Sequence, residues 1–118
     1  MARFVIKGGN KLHGTLTPEG AKNEALQIIS ATLLTEDVVT VKNVPEILDI
    51  MKLISLLEGM GVQVTHPSKG VFTFCAKNLN REYFNSAEYY KKAAALRGSI
   101  LIVGPLLARL GYVVVPKP

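Results

Sequence analysis

The sequence predicts an α/β fold of one domain, on three observations. Helical patterns with one apolar face alternate with short segments rich in β-branched residues. The order helix, tight turn and Val-rich strand occurs twice, in 21–44 and in 89–115, as expected of a fold built from repeated units. The 118 residues are 48% hydrophobic and only 19% charged, which is enough apolar surface for a buried core and unlike a disordered chain.

The first part of the chain is predicted to contain two short strands, a helix and a third strand. Alternating apolar residues indicate strands in 3–7 and 12–17. A helix is predicted over about 21–34, and β-branched residues then predict a strand in 38–44. The apolar residues of the helix recur at helical spacing: Ala21, Ala25, Ile28, Ile29 and Leu33.

The middle of the chain is predicted to form a second helix and a β-hairpin. Proline in the segment 43–45 favours a helix start, and glycine in 59–61 favours its end. Segments 62–65 and 71–74 indicate the two strands of a hairpin, with His66 solvated in the turn. The predicted buried stripe of the helix is Ile47, Ile50, Met51, Ile54 and Leu57.

The last part is predicted to contain a connecting loop, a long helix and a strand. The polar segment 77–87 indicates the loop, and the apolar segment 89–110 the helix, with a kink at Pro105. Segment 112–115 indicates the final strand. An uncovered strand there is typical of a piece of a larger structure that could pair with another copy of itself.

Charge and composition narrow the class of partner. The net charge of +5 favours anionic ligands, but the lysines are dispersed and are not interleaved with aromatic residues, which favours phosphorylated small molecules over nucleic acid. Cys75 is the single cysteine and is expected to be a small buried residue of a strand in a reducing, cytoplasmic protein without a secretory signal. The two histidines lack partners at ligand spacing, so no metal site or cofactor is predicted. The apolar stretch 93–111 contains two arginines, so no membrane span is predicted.

The start of the first helix is the strongest candidate for a binding site. Lys22 and Asn23 stand in its first turn, directly after Gly20 and Ala21. The first amides of a helix lack internal partners and attract anions, and a lysine and an amide side chain add further donors. The pattern indicates capture of a phosphate or carboxylate, although such residues are often only solvated.

Arg97 is the second candidate. It stands among small apolar residues of the long helix, and its guanidinium group keeps its charge in any environment. Such a group pairs with an acid, meets an anionic ligand in a cleft, or lies on the solvent face beside Lys92. The sequence leaves these alternatives open.

Several motifs follow one another along the chain: Gly8 and Gly14, GAKN in 20–23, NVP in 43–45 and LRGS…GPLLARLG in 96–111. In this order they resemble the N-terminal portion of the UDP-N-acetylglucosamine enolpyruvyl transferases (UDP-N-acetylglucosamine 1-carboxyvinyltransferases), enzymes of cell-wall synthesis. The resemblance covers essentially the whole chain. The sister enzymes of aromatic amino-acid synthesis have a similar fold but a lysine–serine pair at the start of this helix, so Lys22-Asn23 favours the cell-wall branch.

The resemblance implies a reaction and three binding residues. The family transfers the enolpyruvyl group of phosphoenolpyruvate to the 3'-hydroxyl of UDP-N-acetylglucosamine and releases phosphate, the first committed step of peptidoglycan synthesis. By position, Lys22 and Asn23 match the residues that contact phosphoenolpyruvate, and Arg97 matches an arginine that binds the UDP-sugar. The family's general acid, Cys or Asp, is expected just beyond Pro118, so no catalytic residue is predicted within the chain and the 118 residues alone are expected to be inactive.

The resemblance also implies an architecture. Family members are two inside-out α/β barrels made of βαβαββ units, with the site between the domains. Residues 1–20 would be a crossing segment that belongs with the other domain, and 21–118 part of the catalytic domain. Within that part, 21–75 would form the first unit and 88–118 the start of the second. The alternatives from another class are a free-standing basic module that binds nucleic acid or a protein partner.

Overall fold

The computed structural model describes residues 1–117 and shows a mixed α/β arrangement of four α-helices, three strands and three 3₁₀ turns among them. The helices and strands, in chain order, are α1 (Lys22–Ala31), β1 (Val39–Val41), α2 (Leu48–Gly59), β2 (Gln63–Ser68), β3 (Val71–Cys75), α3 (Ala87–Ala94) and α4 (Val103–Leu110). The 3₁₀ turns are Thr32–Leu34, Arg81–Asn85 and Arg97–Ile102. The predicted first helix, second helix and hairpin are therefore present, with α2 beginning at Leu48 rather than near Pro45.

The three strands form one antiparallel sheet in the order β1-β3-β2. The central strand β3 pairs with β1 through Val39 and Phe74, and with β2 through Val64 and Phe74. Phe72 and Phe74 point to the same buried face, since successive side chains of a strand alternate. The strand β2 extends to Ser68, so His66 lies within it and stacks on the Phe72 ring, with centroids 4.1 Å apart, instead of standing free in a turn.

The core lies between the sheet and the apolar faces of α1 and α2. In α1, Ala25 and Ile29 are buried as predicted, whereas Ala21 and Ile28 are exposed and Leu26 is buried in their place. In α2, the buried residues are Ile50, Leu53, Ile54, Leu56 and Leu57. The predicted stripe is confirmed at Ile50, Ile54 and Leu57. It is wrong at Ile47, which precedes the helix and is exposed, and Met51 is only partly buried.

The two strands predicted in 3–7 and 12–17 are absent from the described residues. Residues 1–20 form no helix or strand, and the large apolar side chains in this segment are exposed. A strand requires a partner for its backbone donors and acceptors, and the alternating pattern alone cannot supply one. Among these side chains, the exposed fractions are 97% for Phe4, 89% for Ile6, 98% for Leu12 and 96% for Leu16.

The long helix predicted over 89–110 is broken into α3, a 3₁₀ turn and α4. The two helical arms meet at an angle of 114° after Ala94, not at Pro105. The break is stabilised by the Ser99 hydroxyl, which donates to the Ala93 carbonyl at 2.9 Å. Pro105 lies in the first turn of α4, where its missing N–H leaves no helical hydrogen bond unmade.

The predicted loop 77–87 and strand 112–115 also differ from the structure. The loop contains a 3₁₀ turn whose Tyr83 and Phe84 are buried, and both rings meet Tyr89 edge to face. Segment 112–115 forms no strand, although the Tyr89 hydroxyl donates to the Val114 carbonyl. Burial raises the pKa of Tyr89 to about 12. The segment after α4 is therefore attached to α3 through the hydroxyl group of Tyr89.

Two further predictions concern Cys75 and the apolar stretch 93–111. Cys75 ends β3 and is partly exposed rather than buried, with its Sγ atom 3.5 Å from the carbonyl oxygen of Glu36. Within residues 1–117, no single helix is long and apolar enough to cross a membrane, and one bent pair, Ala87–Ala94 with Arg97–Leu110, passes that test by length and composition only.

Candidate functional site

The first turn of α1 is open to solvent and carries both predicted anion-binding side chains. Lys22 and Asn23 are the first two residues of the helix and are exposed. The N-cap residue is Ala21, which offers no side-chain hydrogen bond to the first amides. The helix therefore begins with free N–H groups, a lysine and an amide at one place, as an anion site requires.

Gly20 fixes the approach of the chain to this helix. A Cβ atom added to Gly20 would lie 1.9 Å from the carbonyl oxygen of Asn43, so no larger residue fits without a shift of the backbone. The glycine is thus required by the packing of the segment before α2 against the start of α1. The space beside Gly20 is thus occupied by the Asn43 backbone and is not open to a ligand.

The ammonium group of Lys22 already has a partner within the chain. Its Nζ atom lies 3.2 Å from Oδ2 of Asp49, and the two side chains are 46% and 42% exposed. Asp49 stands in the first turn of α2. The ion pair therefore joins the N-terminal turns of two packed helices.

Arg97 stands at the break between α3 and the following 3₁₀ turn. It is exposed, and no carboxylate of residues 1–117 lies within 4.0 Å of it. It lines a cavity of about 600 Å³ together with Ser99, Ile100, Val115 and Pro116, among others. Of the alternatives left open by the sequence, pairing with an acid is not observed.

The three predicted residues lie on two neighbouring elements rather than in one cavity. A Cβ added to Gly98 would lie 3.3 Å from Cδ1 of Leu26, so the turn that begins with Arg97 packs on α1. Leu26 lies one helical turn after Lys22 on the same side of the helix. The cavity beside Arg97 does not include Lys22 or Asn23.

The partner of Lys22 was not predicted from the sequence. Asp49 had no local signal beyond being an acid in the first turn of a helix, and it meets Lys22 only because α1 and α2 pack together. The available clue to this contact was Gly20 together with the NVP motif in 43–45. A close approach of these two segments brings the starts of α1 and α2 together.

A metal site has no support in the described residues. No group of three or more His, Cys, Asp or Glu side chains among residues 1–117 is placed to hold a metal ion. His66 pairs with Glu46, with Nε2 3.2 Å from Oε1, and Glu46 also accepts from the Gly70 amide at 3.0 Å. This cluster ties the hairpin to the segment before α2.

Comparison with known proteins decides the family. The family model described as EPSP synthase (3-phosphoshikimate 1-carboxyvinyltransferase) matches residues 6–116. The chain belongs to the EPSP synthase family. Within this family it is similar to the UDP-N-acetylglucosamine 1-carboxyvinyltransferase of Porphyromonas gingivalis, with 54% identity over 118 residues that cover 100% of this chain and 27% of that protein.

Other members of the EPSP synthase family agree with this placement. The protein of the same name from Bacteroides thetaiotaomicron is 48% identical over 118 residues, again 100% of this chain and 27% of that protein. The chain thus spans about a quarter of the length of these curated relatives and corresponds to an N-terminal portion of them. The predicted resemblance to the N-terminal portion of the UDP-N-acetylglucosamine 1-carboxyvinyltransferases is confirmed.

A solved structure supports the fold. The enolpyruvyl transferase NikO from Streptomyces tendae superimposes with a TM-score of 0.67 at 21% identity, over 88% of this chain and 23% of that chain. The prediction of an α/β fold that is part of an inside-out barrel of the enolpyruvyl transferase type is therefore confirmed.

Proposed function

We propose that the chain is part of an enzyme that transfers the enolpyruvyl group of phosphoenolpyruvate to the 3'-hydroxyl of UDP-N-acetylglucosamine. The names of the relatives and the family match over residues 6–116 support this assignment. Transfer with release of phosphate would commit the sugar nucleotide to peptidoglycan, hence to cell-wall growth and division. We also propose that the reaction takes place in the cytoplasm, because a single cysteine suits a reducing compartment.

Lys22 and Asn23 are proposed to bind phosphoenolpyruvate. Both substrate groups, phosphate and carboxylate, are anions that suit a helix N-terminus with free amides. The ammonium group would also stabilise the charge that grows on the phosphate as it leaves, which accelerates elimination. Asn23 adds directional donors that fix the orientation of the ligand.

Arg97 is proposed to bind UDP-N-acetylglucosamine. Its guanidinium group has no carboxylate partner among residues 1–117 and faces a cavity of about 600 Å³. A planar guanidinium group binds diphosphate oxygens in pairs. The packing of Gly98 on Leu26 would hold the two substrates on neighbouring elements, as transfer between them requires.

The division of labour along the chain follows the same proposal. Residues 1–20 would cross to the other domain, 21–75 would form the first βαβαββ unit, and 88–118 the start of the second. The general acid is expected beyond Pro118, outside the described residues. We therefore expect these 118 residues alone to bind substrate weakly at most and not to turn over.

The observation that carries the proposal is the Arg97 guanidinium group, which has no carboxylate within 4.0 Å among residues 1–117 and belongs to a turn that packs on α1. In the full-length transferase, Arg97→Ala is expected to weaken binding of UDP-N-acetylglucosamine by about 10-fold to 100-fold, the effect of losing a charged hydrogen-bonding partner. Calorimetric titration measures the change. Arg81→Ala is the matched control, because Arg81 is also exposed but lies 6.0 Å over the Tyr112 ring. Equal affinity of the Arg97 variant and the control would overturn the assignment.

A further inference from the structure

The carboxylate of Asp49 is the one partner that the structure gives to Lys22 among residues 1–117. The Nζ–Oδ2 distance is 3.2 Å, and the residues are 27 positions apart, so the contact is made by the packing of α1 on α2. Both side chains are nearly half exposed. Exposed ion pairs add little to stability, because water screens the charges and two flexible side chains must be ordered. Stabilisation of the fold is therefore a weak reason for this pair.

Ordering of the Lys22 side chain is a stronger reason for the ion pair with Asp49. A lysine has a flexible four-carbon stem, and a ligand that binds its ammonium group must otherwise immobilise the stem itself. The pair with Asp49 holds the group in place before the ligand arrives. An ammonium group has three donors, so at least two remain for phosphate oxygens.

The negative charge of Asp49 is partly balanced by its own helix. Asp49 stands in the first turn of α2, whose N-cap residue Ile47 offers no side-chain hydrogen bond to the first amides. The positive end of the helix dipole stabilises a carboxylate at this position. The carboxylate can thus orient Lys22 without cancelling its attraction for an anion.

We propose that Asp49 is a positioning residue that holds the Lys22 ammonium group for the phosphate of phosphoenolpyruvate. This inference rests on the proposed function of Lys22. Asp49 acts through Lys22 and does not touch the substrate. It follows that the carboxylate matters for substrate affinity only while the lysine is present.

The chain contains a matched control pair. Glu88 and Lys92 also form an exposed carboxylate–ammonium pair, with Oε1 and Nζ 2.8 Å apart, but both residues lie within α3. The hydrogen bond from Lys92 to Glu88 is the main reason that the pKa of Lys92 is raised. Glu88→Gln therefore removes the same kind of interaction without touching the start of α1.

The test uses the full-length transferase and steady-state kinetics. Asp49→Asn is expected to raise KM for phosphoenolpyruvate by about 3-fold to 10-fold, the effect of ordering one flexible side chain, with kcat changed less than about 2-fold. KM for UDP-N-acetylglucosamine should stay the same. Asp49→Glu should recover part of the affinity, and Glu88→Gln should leave all three constants unchanged.

A double variant separates this inference from the function on which it rests. Calorimetry with phosphoenolpyruvate alone, so that no transfer occurs during the titration, gives affinities for the natural enzyme, for Lys22→Met and for Lys22→Met with Asp49→Asn. The affinities of the two Lys22→Met variants should be equal. If Lys22→Met binds as tightly as the natural enzyme, the proposed function of Lys22 fails. Suppose instead that Lys22→Met binds phosphoenolpyruvate weakly. Only the positioning role of Asp49 is then overturned if Asp49→Asn alone leaves the affinity unchanged or raises it. The same holds if Asp49→Asn lowers the affinity as much in the Lys22→Met background as in the natural enzyme.

Discussion

A single guanidinium group, that of Arg109, connects α4 to two other segments of the chain. It donates to the carbonyl oxygens of Leu33 at 2.7 Å, Thr35 at 3.3 Å and Ala76 at 2.9 Å. Its side chain is only 17% exposed, and Glu36 lies 3.8 Å away. Two of these carbonyl groups lie in the segment after α1, and the third lies directly after β3. The regular hydrogen bonds of the helix and the sheet end at these places, so the carbonyl groups need another donor.

Replacement of Arg109 tests how much this group contributes. Arg109→Met should lower the free energy of unfolding by about 2–4 kcal/mol, because three partly buried acceptors lose a charged donor. Arg109→Lys should lose less but still lose stability, since an ammonium group cannot span the three carbonyls. Urea denaturation of the full-length protein measures the change. The exposed Arg81→Met serves as control, and equal midpoints for the two methionine variants would contradict the role of Arg109.

At the scale of elements, two helical glycines make opposite demands on packing. A Cβ added to Gly59, the last residue of α2, would lie 2.3 Å from the Tyr83 hydroxyl oxygen and 2.5 Å from its ring. A Cβ added to Gly104 in α4 would have nothing within 4 Å. Tyr83 is buried and cannot swing away freely.

The two alanine variants should therefore differ in sign. Gly104→Ala should stabilise the protein by up to about 1 kcal/mol, because alanine favours a helix over glycine. Gly59→Ala gains the same preference but should lose about 1–3 kcal/mol through the clash with Tyr83. Thermal unfolding of both variants provides the comparison, and a stabilised Gly59→Ala protein would mean that α2 and the Tyr83 turn are not in contact as described.

The same elements show what the sequence could predict. The helices α1 and α2 and the hairpin carry their own periodic patterns, so local sequence was sufficient. The break after Ala94 is accompanied by packing of Gly98 on Leu26 of another helix, a contact that the unbroken apolar pattern does not reveal. At the candidate site, Lys22, Asn23 and Arg97 were chosen by chemistry and family motif, whereas Asp49 required knowledge of which helices pack.

At the scale of the whole molecule, the open feature is the N-terminal segment 1–20. It carries large apolar side chains, and those of Phe4 and Ile6 are 97% and 89% exposed. Single apolar side chains on a protein surface are ordinary. A segment of alternating apolar residues that pairs with no strand among the described residues is unusual. The curated relatives are about four times as long as this chain, which spans 27% of each of the two compared here. The missing partner of the segment can thus lie in the remaining three quarters.

Amide exchange tests this crossing role directly. In the full-length protein, the amides of 4–6 and 12–16 should exchange at least about 100-fold more slowly than in an unstructured chain, because strand pairing would bond them to the other domain. In the 118-residue chain alone, the same amides should exchange at the rate of an unstructured chain, while the core amides of α2 should be protected wherever the core is formed. Fast exchange of 4–6 in the full-length protein would show that this segment has no strand partner. Protection in the short chain alone would instead indicate pairing between copies, which would make the protection depend on concentration.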